Sequence, residues 1–295
     1  MNQLAFWGES PATALQIVNV AQIPQRSPFR YPGGKTWLVP HVRAWLRSLS
    51  RRPKLFIEPF AGGGIVSLTV AFEDLADHVV MVEMDHTVSA LWKTILSDDN
   101  EWLAEKIIEF DISLEAVRAE LSEEPKDQKH LAFQTLLRNR TNHGGILAPG
   151  SGVLKHGENG KGIRSRWYPE TLYKRIRNIA TVRDKISFIE GDGIAAMKKH
   201  ARQRTCAFFI DPPYTVAGKR AGSRLYTHFE LDHEDLFRQC EKTKGDFLMS
   251  YDTAEEVVAM AKSHGFNVDT VSMKNTHHST MKELVIARDL AWVRD

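Results

Sequence analysis

The most specific chemistry in the chain sits in four consecutive residues, Asp211-Pro212-Pro213-Tyr214, directly after the apolar run Cys206-Ala207-Phe208-Phe209-Ile210. That run is short, aromatic and β-branched, which predicts a buried central strand, and the two prolines forbid its continuation as strand or helix. The chain must stop and turn there. In an open α/β sheet ligands bind beyond the carboxyl ends of the strands, so this turn offers a carboxylate, carbonyls without ladder partners and an aromatic face. Those groups suit a flat heterocycle bearing an exocyclic amine. The Asp211 carboxylate and the Pro212 carbonyl can each accept one amine hydrogen, and Tyr214 can stack on the ring. A tight Pro-Pro turn with a capping Asp would need no more than turn chemistry, so other residues have to decide.

Two glycine-rich turns bear on that decision. Arg30-Tyr31-Pro32-Gly33-Gly34-Lys35 opens an amphipathic helix expected over Thr36 to Leu49, with Lys35 available to an anionic group. Glu58-Pro59-Phe60-Ala61-Gly62-Gly63-Gly64 joins a strand at Leu55-Phe56-Ile57 to a helix at Ile65 to Phe72, the nucleotide-binding opening of a doubly wound fold. A second strand, Val79 to Val82, ends in Glu83-Met84-Asp85, which puts Glu83 about 20 residues past the glycines, where a ribose-binding carboxylate is expected. Ser67 stands where a dinucleotide fingerprint would have its third glycine. Glu58 adds a carboxylate where a pyrophosphate wants none, which favours a cofactor with a cationic end.

The elements that position these residues follow from periodicity. Helical spacing runs through Trp102 to Phe110, Leu114 to Leu121 and Leu131 to Leu137. Between Arg138 and Arg183 there are ten Lys or Arg against two Glu and no Asp, a local excess of +8, and seven glycines fall between Asn139 and Gly162. Helices followed by a flexible basic loop carrying Trp167 and Tyr168 predict a nucleic-acid-reading insertion, with Arg140, Lys161, Arg164 and Arg166 as phosphate contacts and Lys155 as a further DNA-binding residue, a candidate for base readout with Arg140 and Arg164. A solvated charged face is the alternative. The sheet resumes at Ile186 to Ile189, ending at Gly191-Asp192, with a helix from Ile194 to Ala201 and then the Asp211 strand. The loop to Leu231, with Lys219, Arg220 and Arg224, is long enough for a lid or clamp. A helix starts at Asp232, a strand covers Phe247 to Ser250, and Thr253 with Glu256 predicts a capping box. Strands at Asn267 to Met273 and Glu283 to Ala287 should pair antiparallel at a sheet edge. His277 and His278 in their connection lack partners for a metal site.

Composition bounds the rest. A net charge of +2 over 295 residues says nothing of a polyanionic partner, so basic surface must be local. Cys206 and Cys240 form no metal or disulfide pattern, so a reducing cytoplasm is expected. Neither a membrane span nor a secretory signal is expected.

Tyr31-Pro32-Gly33-Gly34-Lys35, Glu58 to Gly64 and Asp211 to Tyr214, in that order, resemble the DNA adenine N6-methyltransferases of the Dam type over about Phe29 to Arg288. The resemblance implies an α/β, Rossmann-like S-adenosylmethionine-dependent methyltransferase sheet. It also implies an inserted, mainly helical target-recognition region at 100–179 and a catalytic domain at 28–99 and 180–295; the irregular pattern of residues 1–27 predicts an N-terminal arm. It implies S-adenosylmethionine contacts at Tyr31, Lys35, Glu58, Phe60, Gly62, Gly64, Glu83, Asp192 and Asp211, with Asp211, Pro212 and Tyr214 catalytic and no metal. Tyr31 stands where many members have Trp, and Glu83 where the usual acid is Asp. Double-stranded DNA is the implied partner, with room for a cognate restriction endonuclease. Ala148 stands where GATC-methylating members carry a base-reading arginine, so a target other than GATC is expected. An N4-cytosine methyltransferase, which more often resembles Ser-Pro-Pro-Tyr, remains an alternative. So do a protein-glutamine methyltransferase, which would resemble Asn-Pro-Pro-Tyr, and a non-catalytic DNA-binding module.

Overall fold

The computed structural model describes residues 22–31, 33–148, 150–154, 157, 160–214, 231–274 and 280–293. Seven strands form one sheet: β1 Leu55–Glu58, β2 His78–Glu83, β3 Ile186–Glu190, β4 Cys206–Ile210, β5 Asp246–Asp252, β6 Asn267–Lys274 and β7 Thr280–Ala287, in the order β3-β2-β1-β4-β5-β7-β6. The first five strands in chain order are parallel; β7 runs antiparallel to both β5 and β6, as expected for two final strands with no intervening helix.

Every residue of β4 is buried, because the central strand has a hydrophobic layer on each face. Side chains alternate between those layers. Phe209 joins Phe56 and Leu248 on one face, whereas Phe208 and Ile210 join Ile57 and Met249 on the other. Helices cover both faces. Those described are α1 Val39–Ser48, α2 Ile65–Phe72, α3 His86–Leu96, α4 Asn100–Glu109, α5 Leu114–Ser122, α6 Gln128–Thr141, α7 Pro169–Ala180, α8 Gly193–His200, α9 His233–Lys242 and α10 Glu255–Ser263. The expected helix from Thr36 begins as a 3-10 turn at Thr36–Leu38 and becomes α-helical at Val39.

Short polar side chains start several of these helices by accepting otherwise orphaned backbone N–H groups. Asp85 caps α3, Ser113 α5, Asp127 α6, Asp192 α8 and Asp232 α9. The capping box expected from Thr253 and Glu256 does not form: α10 begins at Glu255 with Ala254 at its N-cap and no side-chain cap, because the strand before it runs on to Asp252. The region 100–179 shares its core with the sheet. Leu103, Ile107, Phe133 and Leu136 belong to the same buried cluster as Val66, Leu91 and Trp92. Residues 22–27, placed by pattern in an N-terminal arm, are likewise fixed to the body: Ile23 is buried, and Ser27 Oγ donates to the Gly63 carbonyl at 2.5 Å. Residues 1–21, the loop at 215–230 and the two histidines 277 and 278 lie outside the described residues.

Candidate active site

The strand order reverses between β1 and β4, with β2 and β3 on one side and β5 on the other. Crevices open at such switch points, beyond the carboxyl ends of the strands. Here β1 ends in Glu58 and β4 is followed by Asp211, so neighbouring parallel strands deliver two carboxylates to one crevice. The cavity there, of about 520 Å³, is lined by all three motifs: Tyr31 and Lys35, the loop from Glu58 to Gly64, and the turn from Asp211 to Tyr214.

The glycine loop leaves no room for side chains. Gly62 has φ +46° and a Cβ there would lie 2.6 Å from the Tyr31 ring; Gly64 has φ +62° and its Cβ would meet Met81 at 2.5 Å and Trp92 at 2.7 Å. Trp92 Nε1 also donates to the Gly62 carbonyl at 2.8 Å, so the loop is held from beneath. Glu58 is 4 % exposed and accepts from the Ser67 N–H at 3.0 Å, which places the carboxylate on the first turn of α2. Burial, reinforced by Asp211 and Glu83, pushes its carboxyl up to about 8 despite that hydrogen bond. None of the described residues forms an ion pair with Glu58. A buried carboxylate lacking a counter-ion, beside a backbone cradle that a Cβ would fill, fits a ligand with a cationic end.

Glu83 stands across the loop. Its Oε2 accepts from Gly62 N and its Oε1 from Met84 N and Asp85 N, each at 2.9 Å, so one lone pair of Oε2 is left for a hydroxyl. Burial lifts this carboxyl to about 7. Asp192 lines the same cavity while its two oxygens cap α8 at Ile194 and Ala195.

Around Asp211 the structure assembles more than the motif announced. Asp211 Oδ1 accepts from Tyr214 Oη at 2.8 Å and Ser250 Oγ at 2.9 Å and pairs with Lys35 Nζ at 3.0 Å. Glu283 on β7 lies 3.5 Å from the same ammonium and 3.3 Å from the Tyr214 hydroxyl. Burial alone would lower the Lys35 pKa, but the two carboxylates outweigh it and hold the ammonium charged. Burial pushes Glu283 up to about 7 against the opposing field of Lys35. Asp211 Oδ2 and the Pro212 carbonyl accept no hydrogen bond from the described residues, so both remain for an amine.

Tyr214 has two neighbours at its ring. Its ring stacks on Tyr251, with centroids 5.5 Å apart and planes at 24°, and Lys35 Nζ sits 5.0 Å from the ring centroid. Tyr214 is half-buried and lines the cavity. Burial, then the Asp211 and Glu283 charges, keep its hydroxyl protonated.

The expected nucleic-acid residues divide. Lys161 and Arg164 are exposed, Arg166 is half-buried and lines the cavity, and Lys155 lies outside the described residues. Arg140 does not face solvent: it is 4 % exposed and its Nη2 donates to the Pro28 carbonyl, because the last turn of α6 packs against the segment before Tyr31. Trp167 is core rather than loop surface, buried against Phe110, whereas Tyr168 is 50 % exposed. Ala148 is buried. Sequence reasoning missed Glu283, Ser250, Arg30 and Arg175. A Glu at the start of an apolar strand was a weak signal for the first; the others show only in three dimensions.

The family model of the D12 class N6 adenine-specific DNA methyltransferases matches residues 31–142, from Tyr31 through the glycine loop and Glu83 to the end of α6. No curated protein matches the chain by sequence. Solved structures with a related chain path include the rRNA methyltransferase aviRa of Streptomyces viridochromogenes, at 14 % identity and TM-score 0.38 over 91 % of this chain and 92 % of that one. A precorrin-8w decarboxylase of Methanobacterium thermoautotrophicum aligns at 11 % identity and TM-score 0.37 over 88 % and 94 %. A precorrin-6y C5,15-methyltransferase of Geobacter metallireducens aligns at 9 % and 0.36 over 85 % of both chains. The fold is the expected α/β sheet, with five parallel strands and a hydrophobic layer on each face. Over residues 31–142 the chain is similar to the D12 class of N6 adenine-specific DNA methyltransferases.

Proposed function

We propose that the chain methylates the exocyclic amine of a flipped-out adenine at a specific site in double-stranded DNA, using S-adenosylmethionine. The observation that carries this reading is the convergence of the Tyr31–Lys35, Glu58–Gly64 and Asp211–Tyr214 motifs on one cavity. S-adenosylmethionine supplies a methyl group on a sulfonium centre. Glu58 would hold its ammonium, Glu83 its ribose and Asp192 its adenine end, with Tyr31, Phe60, Gly62 and Gly64 against its length.

An adenine amine is a weak nucleophile because its lone pair is delocalised into the ring. Asp211 Oδ2 and the Pro212 carbonyl would each accept one of its hydrogens, which draws the lone pair out of the ring and aims it. Lys35, Tyr214 and Ser250 fix the carboxylate from the Oδ1 side, so the acceptor is oriented before the substrate arrives. The amine proton becomes acidic as the new bond forms and leaves through Asp211 or to water. Flipping the base costs a few kcal/mol, and stacking on Tyr214, about 1 to 3 kcal/mol for a base on an aromatic face, would offset part of that.

On this reading residues 100–179 are the target-recognition region and 28–99 with 180–295 the catalytic part. The target is a short site other than GATC. Arginine's bidentate pairing to guanine is the commonest base contact, and the buried Ala148 cannot make it. Direct sequencing of N6-methyladenine in expressing cells that otherwise lack it should find one non-GATC motif. Full methylation confined to GATC would overturn the target assignment, and N4-methylcytosine as the product would overturn the adenine assignment.

A further inference from the structure

The cavity has a wall that the three motifs do not explain. Arg30, Arg140, Arg166 and Arg175 all line it. Their positions are tied together by hydrogen bonds. Asn139 accepts from the Arg30 N–H at 2.8 Å and donates back to the Arg30 carbonyl at 3.0 Å. Next to it, Arg140 Nη2 donates to the Pro28 carbonyl, and Arg175 Nη1 donates to the adjoining Ser27 carbonyl at 2.8 Å. Two guanidinium groups therefore sit on successive carbonyls of the segment that carries the third.

Gathering like charges in a half-buried wall is unfavourable unless an anion completes it. Arg30, Arg140 and Arg175 form no ion pair with an acid among the described residues. Burial lowers the Arg140 pKa, and the fields of Arg175, Arg30 and Arg166 lower it further; Arg30 feels burial and then Arg166. Arg140 is 4 % exposed, yet its Nε has no hydrogen-bond partner. The start of α7 adds a second, independent donor. Its N-cap residue Tyr168 gives no side-chain cap, and Thr171 and Leu172 in the first turn line the cavity. An uncapped helix N-terminus attracts anions. Glu170 in that turn is exposed and is not part of the cavity wall.

We propose that this wall is an internal phosphate subsite that draws in the phosphates flanking the target nucleotide as its base enters the cavity. A single cofactor carboxylate would leave at least one of Arg30, Arg140 and Arg175 unanswered, whereas a flipped nucleotide carries a phosphodiester on each side. The identity of the phosphate rests on the methyltransferase reading; the existence of an anion site does not.

The direct test uses inorganic phosphate, followed by broadening of its phosphorus resonance, on wild type, Arg30→Gln, Arg175→Gln and Arg175→Lys. Saturable broadening in wild type should fall at least about tenfold in affinity in both Gln variants and be largely kept in Arg175→Lys, with S-adenosylmethionine affinity by calorimetry unchanged within about twofold as the control for folding. On DNA carrying the mapped site, each Gln variant should lose about 1 from the salt slope and lose the fluorescence rise of 2-aminopurine placed at the target adenine. No saturable phosphate binding, or equal binding in the Gln variants, would overturn the subsite. A fall in cofactor affinity matching the fall in phosphate affinity would reassign the arginines to the cofactor carboxylate. Phosphate binding that behaves as expected in a protein that methylates no adenine would instead sink the proposed function and leave the subsite standing.

Discussion

The cavity is lined by a row of acids and by a group of arginines, and different parts of the chain build them. The acids Glu58, Glu83, Asp192 and Asp211 end or closely follow β1, β2, β3 and β4, one from each of four neighbouring parallel strands. The arginines come from the segment before Lys35 and from α6, the 3-10 turn at Gly162–Arg166 and α7. A parallel sheet brings all its carboxyl ends to one edge, so a single acid per strand end suffices to make a cation-accepting row. No such regularity gathers the arginines; cross-links to Ser27, Pro28 and Arg30 do it. On the proposed reading the sheet holds the cationic cofactor and the insertion holds the anionic substrate.

The sharpest way to break this division is at its centre. Asp211→Ala should lower turnover by at least about 100-fold, the scale of one preorganised polar contact, while S-adenosylmethionine still binds. Radiolabelled methyl transfer beside calorimetry measures both, and near-normal turnover in a folded variant would remove Asp211 from the chemistry.

Within the row of acids, Glu58→Gln should weaken cofactor binding by about tenfold or more, since a charged hydrogen bond to a buried group contributes about 1.5 to 3 kcal/mol. The wild-type pH dependence has a definite sign. Glu58 is protonated in the free fold below about 8, and only its ionised form pairs with an ammonium, so the dissociation constant should rise as pH falls from 8 to 6. The same group destabilises the empty fold: the unfolded chain ionises it near the ordinary carboxylate value, so stability falls as pH rises from there to about 8. Glu58→Gln should therefore melt at a higher temperature than wild type at pH 8 while binding the cofactor less well. A lower melting temperature there would show that the carboxylate is structural.

Outside the cavity the effects are smaller. Lys161 and Arg164 are exposed; Arg164 Nε donates to the Ile112 carbonyl at 3.0 Å and its Nη2 lies 3.7 Å from the exposed Asp111. Replacing either by Gln should reduce the salt slope of DNA binding by about 1, a few-fold in affinity between 50 and 200 mM salt. An affinity indifferent to salt would turn this region back into a solvated face. The smallest effect is expected at Glu283, which touches the reaction only through Lys35 and Tyr214. Glu283→Gln should cost less than about tenfold in turnover and flatten the rate profile around pH 7, where the wild-type group titrates; an unchanged profile would make it a packing residue.

The sheet and its acidic row were legible because each strand end is punctuated by glycine, proline or an acid, and these residues act locally. Strands β1 and β4 and helix α2 fall where periodicity put them. Two helices were not singled out. In α7, Leu172, Ile176 and Ile179 keep helical spacing after Pro169, but the run of positive charge dominated the reading; in α3, Asp85 is both the expected acid and the helix cap. Trp167 was read as a loop aromatic because its partner Phe110 lies 57 positions earlier in the chain. Glu283 reaches Lys35 only through the register that sets it opposite Asp252, and a register of that kind follows from tertiary packing rather than from the strand itself.

The Asn139 clasp has a consequence for how the molecule comes into being. Its amide replaces a strand partner for Arg30 across 109 residues, and it also donates to the Gly145 carbonyl at 2.8 Å. The segment leading into Tyr31 cannot be fastened until α6 exists, and Lys35 gains its carboxylate partners only after Asp211 and Glu283 are made. Closing so long a loop is entropically unfavourable and slow relative to local helix formation. As the chain leaves the ribosome the helices from α2 to α6 can form early, whereas the pocket closes only once β7 pairs with β5, so affinity for the proposed cofactor should appear only after Glu283 has been made.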